Sequence, residues 1–373
     1  MKMKKNKIRV ISAVVSAIML ASSASAFAKF DAYNDSDGFT LGHYEAEVNQ
    51  EQRADTEKLY EQRPKNERQF ENLSRGLVAV PGENGTLVSW RFLGTDSNSL
   101  TYNLYCSGEK LNDKPITTTN FFHTGASTNA EYTLKEVENG EETGVEYTTT
   151  AWDKNYIGFK VTEREGYNID DGAVADLDGD GEYEILLRRV PSMDVNTRTS
   201  YPVIEAYKTD GTHMWTIDIG PNEINEVDIN FLAYDMDGDG KAEVIMRSFE
   251  GTTDGKGNTT GDTNGDGITD YSKSESNLAI FKDRQYIVST PEFLSIYDGE
   301  TGEETDRTDL KPSKEPLSDW SYRYSDTGRL TKRASHYLFG LAYLDGVTPS
   351  VVMVRGAWDN VRAAAWHIED GKF

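Results

Sequence analysis

The sequence has one cysteine, Cys106, in 373 residues, which excludes an internal disulfide. Basic residues are also scarce: 39 Lys and Arg face 63 Asp and Glu, a formal net charge of −24. Nucleic acid is therefore excluded as a partner, because phosphate binding needs a basic surface. The histidines His123, His213, His336 and His367 form no His-x-x-x-His pair, which argues against a zinc enzyme. No Gly-x-Ser-x-Gly elbow and no Gly-rich phosphate loop is present. Beyond the N-terminal run, no segment is long and apolar enough to span a bilayer.

That N-terminal run reads as a secretory signal over residues 1–28. Lys2, Lys4, Lys5, Lys7 and Arg9 precede an apolar stretch from Val10 to Leu20, then Ala26-Phe27-Ala28 offers a cleavage site. The mature protein is expected to begin near Lys29 and to work outside the cell without a membrane anchor. An exported chain without disulfides needs another brace, and metal ions are a natural one. Cys106 lies among strand-forming residues and reads as packed.

Residues 29–67 form a polar lead segment, in which 45–63 suit a solvated helix. Residues 68–160 carry strand-like pieces such as Leu77-Val78-Ala79-Val80 and Tyr102-Asn103-Leu104-Tyr105, separated by turn residues. They suggest a small β-sheet or sandwich domain. From residue 161 to 373 the chain repeats itself. Ala173-Val174-Ala175-Asp176 and Leu232-Ala233-Tyr234-Asp235 each lead through an Asp-Gly-Asp-Gly loop into an apolar strand; Leu341-Ala342-Tyr343-Leu344-Asp345-Gly346 leads into a third. An Asp-Gly turn follows each at Asp210-Gly211, Asp298-Gly299 and Asp370-Gly371. This grammar suits propeller blades, so the fold class is all-β: a sheet or sandwich domain, then part of a β-propeller. About three units are counted where a propeller normally has at least about four. The third stops at Phe373, where an outer strand is expected next.

The loops carry the chemistry. Asp176, Asp178, Asp180 and Glu184 occupy positions one, three, five and nine. Asp235, Asp237, Asp239 and Glu243 repeat the spacing, as do Asp262, Asn264, Asp266 and Asp270. Alternate acids with Gly at position six wrap a loop around one Ca2+, which takes about six to eight oxygens. Position twelve holds Leu187, Met246 and Lys273, so these are not EF-hands. Other candidates are less specific. Arg188, Arg189, Arg247 and Arg355 follow equivalent strands and either converge on the axis of the array or pair with loop acids. Trp320, Tyr322 and Tyr324 either form a sugar-stacking surface or pack in the core.

Several motifs resemble the rhamnogalacturonan lyases of polysaccharide lyase family 11. They are residues 71–80 (Glu-Asn-Leu-Ser-Arg-Gly-Leu-Val-Ala-Val), residues 88–95 (Val-Ser-Trp-Arg-Phe-Leu-Gly-Thr), both Asp-Gly-Asp-Gly loops, Pro291-Glu292-Phe293-Leu294, and residues 341–353. The resemblance runs from about Arg68 to Phe373. It implies an N-terminal β-sheet domain, an eight-bladed propeller, structural calcium, and cleavage of the pectic polysaccharide rhamnogalacturonan I by β-elimination. Scaffold motifs persist while polar cleft motifs differ. Where the family pattern has Tyr-Tyr-Thr-Arg after Arg-Gly, this chain has Ala357-Trp358-Asp359-Asn360. Ser335-His336-Tyr337-Leu338, Val227-Asp228-Ile229-Asn230-Phe231 and Arg188-Arg189-Val190-Pro191 also depart from it. The catalytic base is unassigned. Two readings follow: a secreted rhamnogalacturonan I lyase-like protein, whose activity as this chain is in question, or a noncatalytic carbohydrate-binding or structural calcium module.

Overall fold

Short runs of β-branched and aromatic residues, broken by Gly, Asn and Asp turns, give an almost wholly β structure. The computed structural model describes residues 68–373 apart from 127–128, 193–199, 224–228 and 283. The expected signal, the lead segment and Val227-Asp228 lie outside the described residues. Among those described, no helix is long and apolar enough to cross a membrane.

The first region holds two sheets. β1 (Val78–Gly82), β2 (Gly85–Ser89) and β5 (Asn120–Thr124) form one. β3 (Thr101–Cys106), β4 (Glu109–Lys110), β6 (Glu131–Glu138) and β7 (Glu141–Thr150) form the other, in the order β4-β3-β6-β7. Strand alternation brings Ala79, Val88, Tyr102, Leu104, Tyr132 and Leu134 into one core shared by both sheets. Arg75 is buried beside it, bonded to Asp96 and Glu136, and lies over the rings of Tyr102 and Tyr147.

Three antiparallel meanders follow, and none of the sheets closes on itself. The first is β8 (Tyr167–Ala175), β9 (Glu184–Pro191), β10 (Val203–Tyr207) and β11 (His213–Asp218). The second is β12 (Phe231–Tyr234), β13 (Glu243–Phe249), β16 (Glu292–Tyr297) and β17 (Glu304–Asp309). A separate hairpin, β14 (Leu278–Phe281) and β15 (Arg284–Ile287), lies in the excursion between β13 and β16. The third is β18 (Tyr337–Ala342), β19 (Ser350–Arg355) and β20 (Arg362–His367).

β13 shows how the meanders stack, since every one of its residues is buried. Val244 and Met246 share a core with Leu186, Ile204 and Ile217 of the preceding meander. Ile245, one step out of phase, shares another with Val351 and Met353 of the last. A strand covered on both faces needs apolar residues in succession, and Val244-Ile245-Met246 supplies them. Each such side chain contributes about 1.5–3 kcal/mol by burial.

A helix, α1 (Thr327–Ser335), precedes the third meander. Asp326 caps it by accepting from Arg329 N at 2.9 Å, and Lys332 and Arg333 in the last turn suit its dipole. It packs so closely on β14 that a Cβ at Gly328 would lie 2.1 Å from the Ile280 carbonyl oxygen.

Candidate functional site

Two acidic loops cross between neighbouring strands, one from β8 to β9 and one from β12 to β13. Each opens with an Asp whose two oxygens accept backbone N–H groups. Asp176 takes those of Gly179 and Gly181, both at 2.8 Å. Asp235 takes those of Gly238 at 2.7 Å and Gly240 at 3.1 Å. Gly181 and Gly240, at position six, adopt φ of 88° and 95°, which an L side chain would resist. At position nine, Glu184 Oε2 accepts from Leu177 N and Glu243 Oε2 from Met236 N, both at 2.8 Å. The ninth acid thus closes each loop onto its second residue.

Carboxylate oxygens of Asp176, Asp178 and Glu184 lie within 4.8 Å of one another, as do those of Asp235, Asp237 and Asp239. Asp180 and Glu243 are not among these close-set carboxylates. Burial, reinforced by neighbouring aspartates, raises the carboxyls of Asp176, Glu184, Asp235 and Asp237 above their usual range. The same causes push Glu243 up to about 8. Crowded, half-buried oxygens on a glycine-hinged loop are the donor set a hard divalent cation takes. The two loops differ in one respect that spacing conceals. Lys208 Nζ reaches Asp178 Oδ2 at 2.5 Å, whereas among the described residues no ion pair reaches Asp235, Asp237 or Asp239.

The third loop is built differently. Asp262 accepts from Gly265 N at 2.7 Å and Gly267 N at 2.8 Å, matching the first two. Asp270 turns away, capping the short 3₁₀ turn Tyr271–Lys273 through Ser272 and pairing with Lys273 at 2.9 Å. Asn264 Nδ2 and Tyr271 OH both donate to Asp266 Oδ2. The Tyr271 bond holds the Asp266 carboxyl below its usual range. Against the pull of burial, Ser272 and Lys273 do the same for Asp270.

One further acid escaped the sequence reading. Residues 69–74 run along the loops: Gln69 Nε2 donates to Asp235 O at 3.2 Å, and Ser74 N to Gly181 O at 2.9 Å. Between them stands Glu71, its carboxyl raised first by burial and then by Asp235 and Asp176. Its place at the head of the 71–80 motif was the available signal.

The four candidate arginines are buried, and each has internal partners. Arg188 meets Asp170 and Ile229 O. Arg189 meets Glu205 at 3.1 Å and Thr162 O at 2.6 Å. Arg247 and Arg355 come together on Glu292, at 3.5 and 2.6 Å, and Arg247 also pairs with Glu223. Lys314 joins that cluster, donating to Ile287 O at 2.5 Å, and burial lowers its pKa to about 8. Glu223, Arg247, Glu292 and Lys314 line a small cleft with Asn222, Tyr286 and Ser335.

The three aromatic candidates separate. Trp320 is fully buried, its indole N–H donating to Lys314 O at 2.7 Å. Tyr322 is 67% exposed and Tyr324 41%. Arg323 lies over the Tyr322 ring, while Arg329 and Arg333 lie over that of Tyr324, at 4.0 and 4.9 Å. Trp358, 78% exposed and not singled out from the sequence, has Lys332 over its ring at 5.2 Å.

Comparison with known proteins places these features in context. The C-terminal domain of rhamnogalacturonan lyase family 11 matches residues 158–373, and the β-sheet domain of rhamnogalacturonan I lyases matches residues 68–152. Rhamnogalacturonan endolyase YesW of Bacillus subtilis (strain 168) is 37% identical over 320 residues, covering 82% of this chain and 48% of that protein. Rhamnogalacturonan exolyase YesX of the same organism is 36% identical over 322 residues, covering 82% and 49%. The crystal structure of exotype YesX superposes with a TM-score of 0.69 over 82% of this chain and 50% of that one. The rhamnogalacturonan lyase structure from Bacillus licheniformis gives 0.67 at 35% identity, over 82% and 52%. The chain spans about half the length of the curated relatives it matches.

Proposed function

Because the chain belongs to rhamnogalacturonan lyase family 11, we propose that it is an exported rhamnogalacturonan I lyase-like protein whose acidic loops hold calcium. In this proposal the three meanders are blades of a β-propeller and residues 68–160 form a separate sandwich domain. The sharing of apolar cores between successive meanders supports the blade assignment. The observation that carries the function is the coincidence of the family match with two preformed acid loops.

β-Elimination removes the C5 proton of a galacturonate to a base while the bond from C4 to the rhamnose oxygen breaks and that oxygen gains a proton. Negative charge builds beside the uronate carboxylate, so the reaction needs fixed positive charge there. Asp176, Asp178, Asp180 and Glu184 would hold one calcium ion and Asp235, Asp237, Asp239 and Glu243 a second. Bound there, calcium supplies charge that offsets crowded acids and ties neighbouring strands together. The exposed rings of Tyr322, Tyr324 and Trp358 offer flat faces for sugar rings. Arg323, Arg329 and Lys332 set a local positive field on an otherwise acidic chain, suited to an anionic polysaccharide such as pectin.

A second reading, a noncatalytic carbohydrate-binding or calcium module, is favoured by one observation: Arg188, Arg189, Arg247 and Arg355 are all engaged internally. One experiment separates the two. The purified chain is incubated with rhamnogalacturonan I and calcium, and the ultraviolet absorbance of unsaturated uronate is followed beside a pull-down on the polymer. Product formation supports the lyase. Binding without product supports the module. Neither binding nor product would reject the lyase and the carbohydrate-binding module and leave a structural calcium module.

A further inference from the structure

We propose that Glu250 completes a third cation site, supplying to the loop at 262–268 the carboxylate that Asp270 withholds, for a hard divalent cation of the calcium type. The proposal rests on the calcium reading of the first two loops, which provide its template. In each of those, the ninth residue closes the loop by accepting the N–H of the second: Glu184 from Leu177 and Glu243 from Met236. In the third loop the second residue is Thr263, and its N–H goes elsewhere. It donates to Glu250 Oε1 at 2.7 Å, and the Thr263 hydroxyl donates to the same oxygen at 2.5 Å. Glu250 directly follows β13, thirteen positions upstream of Thr263. It therefore takes the structural place of the ninth acid from outside the loop.

Its second oxygen points to a ligand. Glu250 is 0% exposed, and Oε2 has no hydrogen-bond partner. A buried carboxylate oxygen without a partner is costly, and a bound cation is one partner that satisfies it. The Glu250 backbone is also tied to the loop. Asn222 Nδ2 donates to Glu250 O at 2.7 Å and to Thr269 O at 3.0 Å, and Asn222 Oδ1 accepts from Tyr271 N at 2.8 Å. One asparagine thus clasps the backbone of Glu250 to the loop's far end. Asp262, Asn264, Asp266 and the Ile268 carbonyl, at positions one, three, five and seven, would supply the remaining oxygens; unlike those of the first two loops, the carboxylates of Glu250, Asp262 and Asp266 do not all lie within 4.8 Å of one another, so an ion must draw them together. Asp270, committed to Ser272 and Lys273, serves the neighbouring turn.

The test counts bound calcium. The full chain is stripped with chelator, dialysed into calcium, and its bound ions measured by atomic emission. Relative to the wild type, Glu250→Gln and Glu250→Asp should each lose one ion per chain, and Asp270→Ala none. Asp178→Ala and Asp237→Ala, which remove the ligand oxygens, should each lose one, reporting on the first two loops separately. Full occupancy in both Glu250 variants, or loss of an ion in Asp270→Ala, would overturn the proposal. Should the Glu250 variants not fold, the wild-type count decides with Asp270→Ala: no more than two ions in the wild type, or loss of one in Asp270→Ala, overturns the proposal. If Asp178→Ala and Asp237→Ala also lose nothing, the reading of the first two loops fails, which is a different result from failure at Glu250 only.

Discussion

Arg355 offers the sharpest separation of a structural guanidinium from a substrate-binding one. It is 0% exposed, and its donors reach Ala334 O at 2.5 Å, Pro312 O at 2.9 Å and Glu292 Oε2 at 2.6 Å. One side chain thereby ties β19 to the end of α1, to the Lys311-Pro312 turn and to β16. Burial would raise the Glu292 carboxyl, but Arg355, then Lys314 and Arg247, outweigh it and hold the carboxyl below its usual range. Arg355→Met keeps most of the volume and removes all these bonds. Breaking a buried ion pair from one side costs about 3–5 kcal/mol, and each stranded carbonyl adds roughly 1 kcal/mol. Arg247 and Lys314 still face Glu292, so the expected loss is about 4–6 kcal/mol. That is a large part of the ~5–15 kcal/mol that holds a domain folded. Urea denaturation followed by tryptophan fluorescence measures it. Glu292→Gln combined with Arg355→Met should recover about 2 kcal/mol relative to the sum of the single changes, because the sum counts the loss of the Arg355–Glu292 pair twice and the double change counts it once. A loss below about 1 kcal/mol in Arg355→Met would refute this reasoning and return Arg355 to the list of groups free to meet a substrate.

Lys314 sets a pH dependence. Its folded pKa of about 8 lies below the ordinary 10.5, so the native state releases its proton first and stability rises with pH between these values. Relative to Lys314→Met, the wild type should gain about 2 kcal/mol from pH 7.5 to 9.5, and a flat difference in paired denaturation curves would contradict the assignment. Lys208→Met, which frees Asp178, should raise calcium affinity at the first loop several-fold by titration calorimetry while leaving the second loop unchanged. Trp320→Ala should cost about 3–5 kcal/mol of stability as a core deletion, whereas Tyr322→Ala and Trp358→Ala should leave the melt intact and weaken rhamnogalacturonan I binding several-fold.

Spacing made the loops legible. An acid at every second position with Gly at the sixth dictates one turn geometry, and Asp176, Asp235 and Asp262 all adopt it. The meanders were legible because strand, loop and strand recur with the same apolar pattern. Position nine of the third loop was not legible. Asp270 has the right spacing, yet Ser272 and Lys273 lie close enough in sequence to engage it first, and Glu250 reaches the loop only through the tertiary fold. The arginines were ambiguous for a similar reason. A strand-end Arg has the same sequence signature whether its acid is Glu292, drawn from another strand, or a substrate carboxylate. The aromatic candidates Trp320, Tyr322 and Tyr324 alternate along an irregular segment, so period alone did not say that the first is buried and the others exposed. Trp358 carries φ of 62° in a turn, outside any periodic stretch that would have marked it.

Thermal melts of one protein sample in chelator and in millimolar calcium decide whether the acidic loops bind calcium and brace the fold. A ligand that binds only the native state adds about 2.7 kcal/mol at a hundredfold excess over Kd, so two filled loops add about 5 kcal/mol. For a chain of this size that corresponds to a rise in Tm of roughly 7 °C. A shift of that order is expected, reduced in Asp237→Ala; superimposable melts with and without calcium would show that the loops do not hold it.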